Sequence, residues 1–159
     1  MDGTEPLTMF TGEFRHTIDQ KNRLALPSAF RVSARGTPIQ SWKIASAKAL
    51  HEEALYLYPR ATWDEIVREK FSKISMGSDE GQFFMREFVA TSKDAETDAQ
   101  GRIVIPADLK EKAGLDASVL VRGALPRIEI WDPTKYDEWV ERNRPPVEKV
   151  REVMRNIGL

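Results

Sequence analysis

Two stretches of this chain carry residue types at a spacing that could do chemistry. One is TIDQKNRLALP, Thr17 to Pro27, and the other is TDAQGRIVIP, Thr97 to Pro106. Both read Asp-x-x-x-Arg followed by two alternating apolar residues and a proline: Asp19, Arg23, Leu24, Leu26, Pro27, and Asp98, Arg102, Ile103, Ile105, Pro106, at a constant offset of 79 residues. One such phrase is uninformative, whereas two in register form a repeated unit. A carboxylate pair can do acid–base work when its members' pKa values are pushed apart. Here each Asp stands four residues before an arginine, which favours the ionised form and removes the raised pKa of a general acid. Asp at the head of a turn can instead bond backbone amides two residues on. Turn capping is therefore the first role of Asp19 and Asp98. A guanidinium at the end of a rigid hairpin can read a guanine edge or grip a phosphate, and two-stranded ribbons enter the major groove. Arg23 and Arg102 follow the turns directly, with Arg15 and Lys21 close to the first. An Asp–Arg pair that merely braces each turn fits the same residues. The two roles are compatible, because one guanidinium can be oriented by the Asp and still present its other donors.

No other catalytic grouping appears. The chain has two histidines, His16 and His51, and no cysteine, which excludes disulfides and thiolate metal sites. Gly-rich phosphate loops, nucleophile elbows and His-Glu-x-x-His pairs are lacking. Glu13, His16 and Asp19 follow no metal-ligand spacing, so His16 reads as a plain strand residue. Neither a metal, a cofactor nor a small-molecule ligand is indicated, and the chain does not read as an enzyme.

The elements that must position the two motifs also repeat. Phe14, Ile18, Leu24 and Leu26 alternate with polar residues as half-buried strands do. The break falls at Gln20-Lys21-Asn22, and in the second copy at Ala99-Gln100-Gly101. Asn22 and Gly101 occupy equivalent places, and both accept the positive φ of tight turns. Each unit is thus expected to open with a hairpin. A short helix follows in each, from Pro27 toward Gly36 and from Pro106 toward Gly114, with Phe30 and Leu109 facing the core. Each unit closes with a strand and a helix. Leu55–Tyr58 leads to a capping box at Thr62-x-x-Glu65 and an apolar stripe Trp63, Ile66, Val67, Phe71, Ile74. Ile128–Trp131 leads to Asp132-Pro133, then Tyr136, Trp139 and Val140. Between the units Ser78 can cap a helix carrying Phe83, Phe84, Phe88 and Val89. The organisation is a disordered leader over 1–8, a first repeat over 9–76, a second over 78–140, and a tail over 141–159. In the tail Val147, Val150, Met154 and Ile157 recur at helical spacing. Residues 38–54 give no clear pattern.

The chain has 159 residues and a formal net charge of −1, so charge alone does not announce nucleic acid. The distribution is uneven. Glu13 to Arg35 holds five bases and two acids, Lys93 to Lys112 four bases and five acids, and Arg142 to Arg155 five bases and two acids. If one copy meets an anion, the first is favoured; surface scatter gives the same counts. No apolar run approaches the ~18 residues of a membrane span.

The runs MFTGEFRHTIDQKNRLALPSAFR, YLYPRATWDEI, DAQGRIVIPADLKEKAGL and RIEIWDPTKYDEW together resemble the MraZ family of bacterial transcriptional regulators, of the AbrB-like swapped-hairpin class. The match covers about residues 9–140. The resemblance implies an α+β fold with a mainly β core, a pseudo-two-fold double-split β-barrel of two swapped-hairpin repeats with flanking helices. It implies a cytoplasmic, nucleoid-associated repressor that assembles into a ring-like homo-oligomer. Such a protein binds double-stranded DNA at tandem promoter repeats upstream of the division and cell-wall gene cluster that includes its own gene. The family's DNA-contact motif falls on Asp19 and Arg23, and its second copy on Asp98 and Arg102. Arg15 and Lys21 are added from the charge distribution. Asn22 stands where the family usually has Gly, a mild departure. The segment around 41–50 and the tail after Arg144 extend beyond the family's usual core. A self-assembling interaction module of the antitoxin type, without direct DNA reading, is the alternative from another class.

Overall fold

The computed structural model describes residues 7–159. Eight strands and five helices follow in the order β1 (Glu13–Thr17), β2 (Arg23–Ala25), β3 (Ser41–Ser46), β4 (Ala54–Pro59), α1 (Arg60–Glu69), α2 (Asp79–Phe84), β5 (Lys93–Glu96), β6 (Arg102–Val104), α3 (Ala107–Lys112), β7 (Ser118–Ala124), β8 (Arg127–Trp131), α4 (Pro133–Asn143) and α5 (Val147–Asn156). The fold is α+β with a mainly β core. Six strands form one antiparallel sheet in the order β1-β7-β8-β4-β3-β5, and β2 and β6 form a separate two-stranded ribbon.

The sheet order is palindromic under exchange of the repeats. Swapping β1 with β5, β7 with β3 and β8 with β4 returns the same order reversed, which defines a pseudo-two-fold axis. At the centre Leu55 pairs with Ile130 and Leu57 with Ile128, symmetric about the Tyr56–Glu129 pair. In the ribbon Arg23 pairs with Val104, Leu24 with Ile103 and Ala25 with Arg102, symmetric about Leu24–Ile103.

This topology corrects the simple hairpin expected at the head of each repeat. The turns form, but their strands part immediately. Ile18 and Leu24 make one isolated bridge. Then β1 joins β7, while β2 joins β6. β5 likewise joins β3 of the first repeat. Each repeat thus lends its first strand to the other's half of the sheet and shares its second in the ribbon. The physical reason is burial. Leu24, Leu26, Ile103 and Ile105 are all at most 1% exposed, and only the paired ribbon lets both apolar sets face one core. Among the described strands the six-stranded sheet does not close into a barrel; its edges are β1 and β5.

Two cores sit on the two faces of the sheet, as strand alternation requires. Leu55, Leu57, Ile128 and Ile130 point to one face, where Trp42, Ile44, Val119 and Val121 meet the ribbon, Phe30 and Leu109. Tyr56, Tyr58, Leu120 and Trp131 point to the other, under an aromatic layer of Trp63, Phe71, Phe84, Phe88, Tyr136 and Trp139 from the helices. Each fully buried Leu or Ile contributes about 1.5–3 kcal/mol, so the ribbon is fixed to the sheet by packing rather than by its short ladder.

Several local expectations change. The first short helix is a single 3-10 turn, Ser28–Phe30, while its counterpart is α3; Phe30 and Leu109 are buried in both. α1 begins at Arg60 behind Pro59 without a side-chain cap, so Thr62 is a buried position inside the first turn and not a capping box. Phe71 lies in a 3-10 turn after α1 has ended. Ser78 does cap α2, its Oγ accepting from Gly81 N at 3.0 Å, and the chain continues as a π turn over Met85–Val89. Asp132 caps α4 by accepting from Lys135 N. The unassigned stretch supplies β3 and a 3-10 turn, Ala47–Leu50. Of the expected leader, residues 1–6 lie outside the described residues, and Thr8 accepts a hydrogen bond from Ala34 N.

Candidate nucleic-acid interface

Each Asp-x-x-x-Arg motif folds into the same turn. Asp19 Oδ1 accepts from the amides of Lys21 and Arg23, both at 2.9 Å, and Oδ2 accepts from Arg23 Nε at 2.7 Å. Asn22 N donates to the Asp19 carbonyl, with Asn22 at φ 61°. Asp98 Oδ1 accepts from Gln100 N and Arg102 N at 2.9 Å, and Oδ2 from Arg102 Nε at 2.8 Å. Gly101 N donates to the Asp98 carbonyl, with Gly101 at φ 77°. The left-handed residue is what closes each turn, and Asn and Gly are the residues that adopt it at low cost.

These bonds hold both carboxylates ionised. The Arg23 amide, the Arg23 side chain and the Lys21 amide together keep Asp19 below the usual carboxylate range, against partial desolvation. Arg102 and Gln100 do the same for Asp98. A carboxylate held this way is a clamp and not a proton donor. The two lie at opposite ends of the antiparallel ribbon, so they do not form a dyad.

The turns are stitched to each other's strands. Leu26 N donates to the Gly101 carbonyl at 3.0 Å, and Ile105 N to the Asn22 carbonyl at 2.7 Å. Leu24 and Ile103 face the core, so Arg23, Ala25, Arg102 and Val104 occupy the outer face of the ribbon. Both Asp-x-x-x-Arg arginines therefore emerge on one face, offset by about 7 Å along the strands. Their environments match closely: the Arg23 and Arg102 side chains are 31% and 28% exposed. Nε of each is committed to its Asp. The Nη groups, which carry the other donors of the guanidinium fork, have no partner among the described residues.

Lys21 is exposed at the tip of the first turn. Arg15 is not brought to this face. It pairs in register with Leu120, which belongs to the aromatic core on the far side of the sheet, whereas His16 pairs with Val119 and reaches the ribbon through Nδ1 to the Ala25 carbonyl at 2.6 Å. Strand alternation thus separates Arg15 from Arg23 although they are near in sequence.

Two further basic residues join the turns. Lys110 Nζ donates to Asn22 Oδ1 at 3.1 Å. Arg31 donates from Nε to the Leu26 carbonyl at 2.7 Å, and its guanidinium occupies the place where a Cβ on Gly101 would fall. The 79-residue offset aligns Arg31 with Lys110, which was the available signal. Strand exchange carries each to the other repeat's turn, so charge counted along sequence segments misassigns them. The first turn gathers Lys21, Arg23 and Lys110; the second gathers Arg102 and Arg31.

A duplicated, strand-exchanged β unit with a two-arginine ribbon on its outer face defines a class of pseudo-symmetric hairpin proteins. The chain belongs to the MraZ family. The family described as "MraZ protein, putative antitoxin-like" matches it twice, over residues 9–84 and 88–155. The second match runs through the tail that had read as lying beyond the family's core. Among curated relatives, the transcriptional regulator MraZ of Moorella thermoacetica is 34% identical over 92% of this chain and 96% of that protein. The regulators of the same name from Caldicellulosiruptor saccharolyticus and Syntrophomonas wolfei are 33% and 29% identical, each over 95% of this chain and their full length.

Proposed function

We propose that this protein is a sequence-specific DNA-binding transcriptional regulator whose ribbon enters the major groove. The observation that carries the reading is the placement of Arg23 and Arg102 on one outer face, each aimed by its Asp. Their ~7 Å offset is about two base-pair steps of B-DNA, and a well-aimed arginine discriminates a guanine by about 1–3 kcal/mol. Lys21, Arg31 and Lys110 supply phosphate contacts at the flanks, while Arg15 stays out of the interface. Both repeats contribute to reading, although segment charge alone favoured the first. The relatives' name as transcriptional regulators supports the same direction.

The strand exchange supports membership of the swapped-hairpin class, with two such chain halves standing for the double-split barrel. The target is tandem repeats in the promoter of the division and cell-wall cluster that includes the protein's own gene, which it represses on the nucleoid as a ring-like homo-oligomer. A formal charge of −1 gives one chain weak non-specific affinity. Joining several ribbons raises avidity by about 10²–10⁴.

The test is binding of wild type, Arg23→Ala and Arg102→Ala to that promoter over a range of salt, with mass measured alongside. The reading expects each variant to assemble normally, to bind that promoter at least about fivefold more weakly and to lose preference over unrelated DNA, with the salt dependence little changed because the phosphate contacts remain. Unchanged affinity and unchanged preference for the promoter in both would reduce the motif to a turn brace and leave the antitoxin-type interaction module as the better account.

A further inference from the structure

We infer that α5 of one chain docks into a groove at Leu50 and Phe83 of a second copy, joining copies head to tail. Every residue from 141 to 159 is exposed. On α5 the apolar residues Val147, Val150, Val153 and Met154, continued by Ile157, lie on one side of the helix. They are between 44% and 69% exposed. An amphipathic helix gains most of its stability from packing that face, and none of the described residues covers it. At 100° per residue, Arg151 and Arg155 flank one edge of the stripe and Lys149 the other, while Glu148 and Glu152 lie on the back.

The complementary surface is elsewhere on the molecule. Ala49, Leu50, Phe83 and Phe84 line a shallow cavity of about 470 Å³ with Asp79 and Glu80 on its rim. Leu50 is 45% and Phe83 55% exposed. Glu87 stands with Phe83 in the adjoining depression, whose lining mixes acids with Lys48, Lys112 and Lys135, so the acidic border of the groove itself is Asp79 and Glu80. An apolar stripe edged by cations thus exists on the same chain as an apolar groove edged by anions. Such a pair is heterologous: each chain offers both halves, and repetition closes a ring or continues as a filament. A helix laid in an apolar groove by a few anchors is a common docking mode. The inference supplies the contact for the assembly proposed above and rests on that part of the reading only.

The experiment measures mass by sedimentation velocity, for wild type, Val150→Glu/Met154→Glu and Phe83→Glu, with binding to a duplex carrying a single promoter repeat as a separate readout. All three substituted positions are exposed, so far-UV dichroism and thermal midpoints are expected to match wild type. Wild type is expected as a multimer and each variant as a single chain. A 1:1 mixture of the two variants is expected to give complexes of two chains and nothing larger, because each variant retains one intact half. Wild-type mass in either variant, no complex in the mixture, or a wild type that stays a single chain would each overturn the inference. So would retained assembly with lost binding to anionic phospholipid vesicles, which would make the stripe a membrane face. If the masses behave as expected while Arg23→Ala and Arg102→Ala bind DNA like wild type, the docking stands and the DNA reading falls.

Discussion

Lys110 Nζ donates to the side-chain oxygen of Asn22 at 3.1 Å, so a residue of the second repeat steadies the turn of the first. Its counterpart is Arg31, whose guanidinium fills the space over Gly101. The pseudo-symmetry is kept by the backbone and broken by these side chains.

That asymmetry separates two substitutions. Gly101→Ala meets both a φ of 77° and the Arg31 guanidinium. It is expected to cost about 1–3 kcal/mol. Asn22→Gly keeps the φ and loses one partly exposed bond, so it is expected to stay within about 0.5 kcal/mol. Urea unfolding of both variants measures the difference.

Replacing Asp19 distinguishes charge from positioning. Coulomb attraction to phosphate predicts that Asp19→Asn binds DNA more tightly, since a negative charge is lost. The geometry predicts the opposite, because Oδ1 and Oδ2 together hold the turn and aim Arg23. Binding is expected to weaken by about fivefold, the low end of one aimed arginine's contribution, with Asp98→Asn behaving alike. Fluorescence anisotropy on a labelled promoter duplex reads the sign directly.

Leu24 and Ile103 face each other across the pseudo-axis and are both fully buried. Leu24→Ala and Ile103→Ala are each expected to cost about 2–5 kcal/mol. Because they share one cavity, the double variant is expected to depart from the sum of the singles by ~0.5 kcal/mol or more. Chemical denaturation of the four proteins in the cycle provides the numbers.

Acid should loosen the turns before it reaches the core. The folded pKa values of Asp19 and Asp98 are lowered, chiefly by the amides of Arg23 and Arg102. Their stabilisation is therefore present above the unfolded carboxylate value of about 3.9 and is lost as pH falls below it. Thermal midpoints between pH 7 and pH 2.5 should fall more steeply below about pH 4 for wild type than for Asp19→Asn/Asp98→Asn. Parallel curves would mean that the two carboxylates are not linked to folding.

The sequence carried the local chemistry of the site well. Asp capping, the left-handed turn residues and the buried Phe30 and Leu109 all follow from side-chain preferences that act within a few residues. Pairing was not legible in the same way. A turn with alternating flanks reads as a hairpin, and nothing local says that β1 and β2 leave each other for β7 and β6. That choice is made by burying Leu24 beside Ile103, a contact 79 residues long. The same non-local choice moved Arg15 to the far face and brought Arg31 and Lys110 to the turns. The stretch containing β3 was opaque because Ser41–Ser46 is buried on both faces over half its length, which erases the period-two signal.

The palindromic strand order has a consequence for direction. A true homodimer has two equal ends and must meet a site that reads the same from both sides. Here the two ends are different sequences, Lys21-Asn22 with Lys110 at one and Gln100-Gly101 with Arg31 at the other. The outer face of the ribbon therefore has a left and a right. A row of such faces, all pointing one way, suits sites repeated in one orientation rather than mirrored ones. Two unequal halves on one chain make a nearly symmetric scaffold polar.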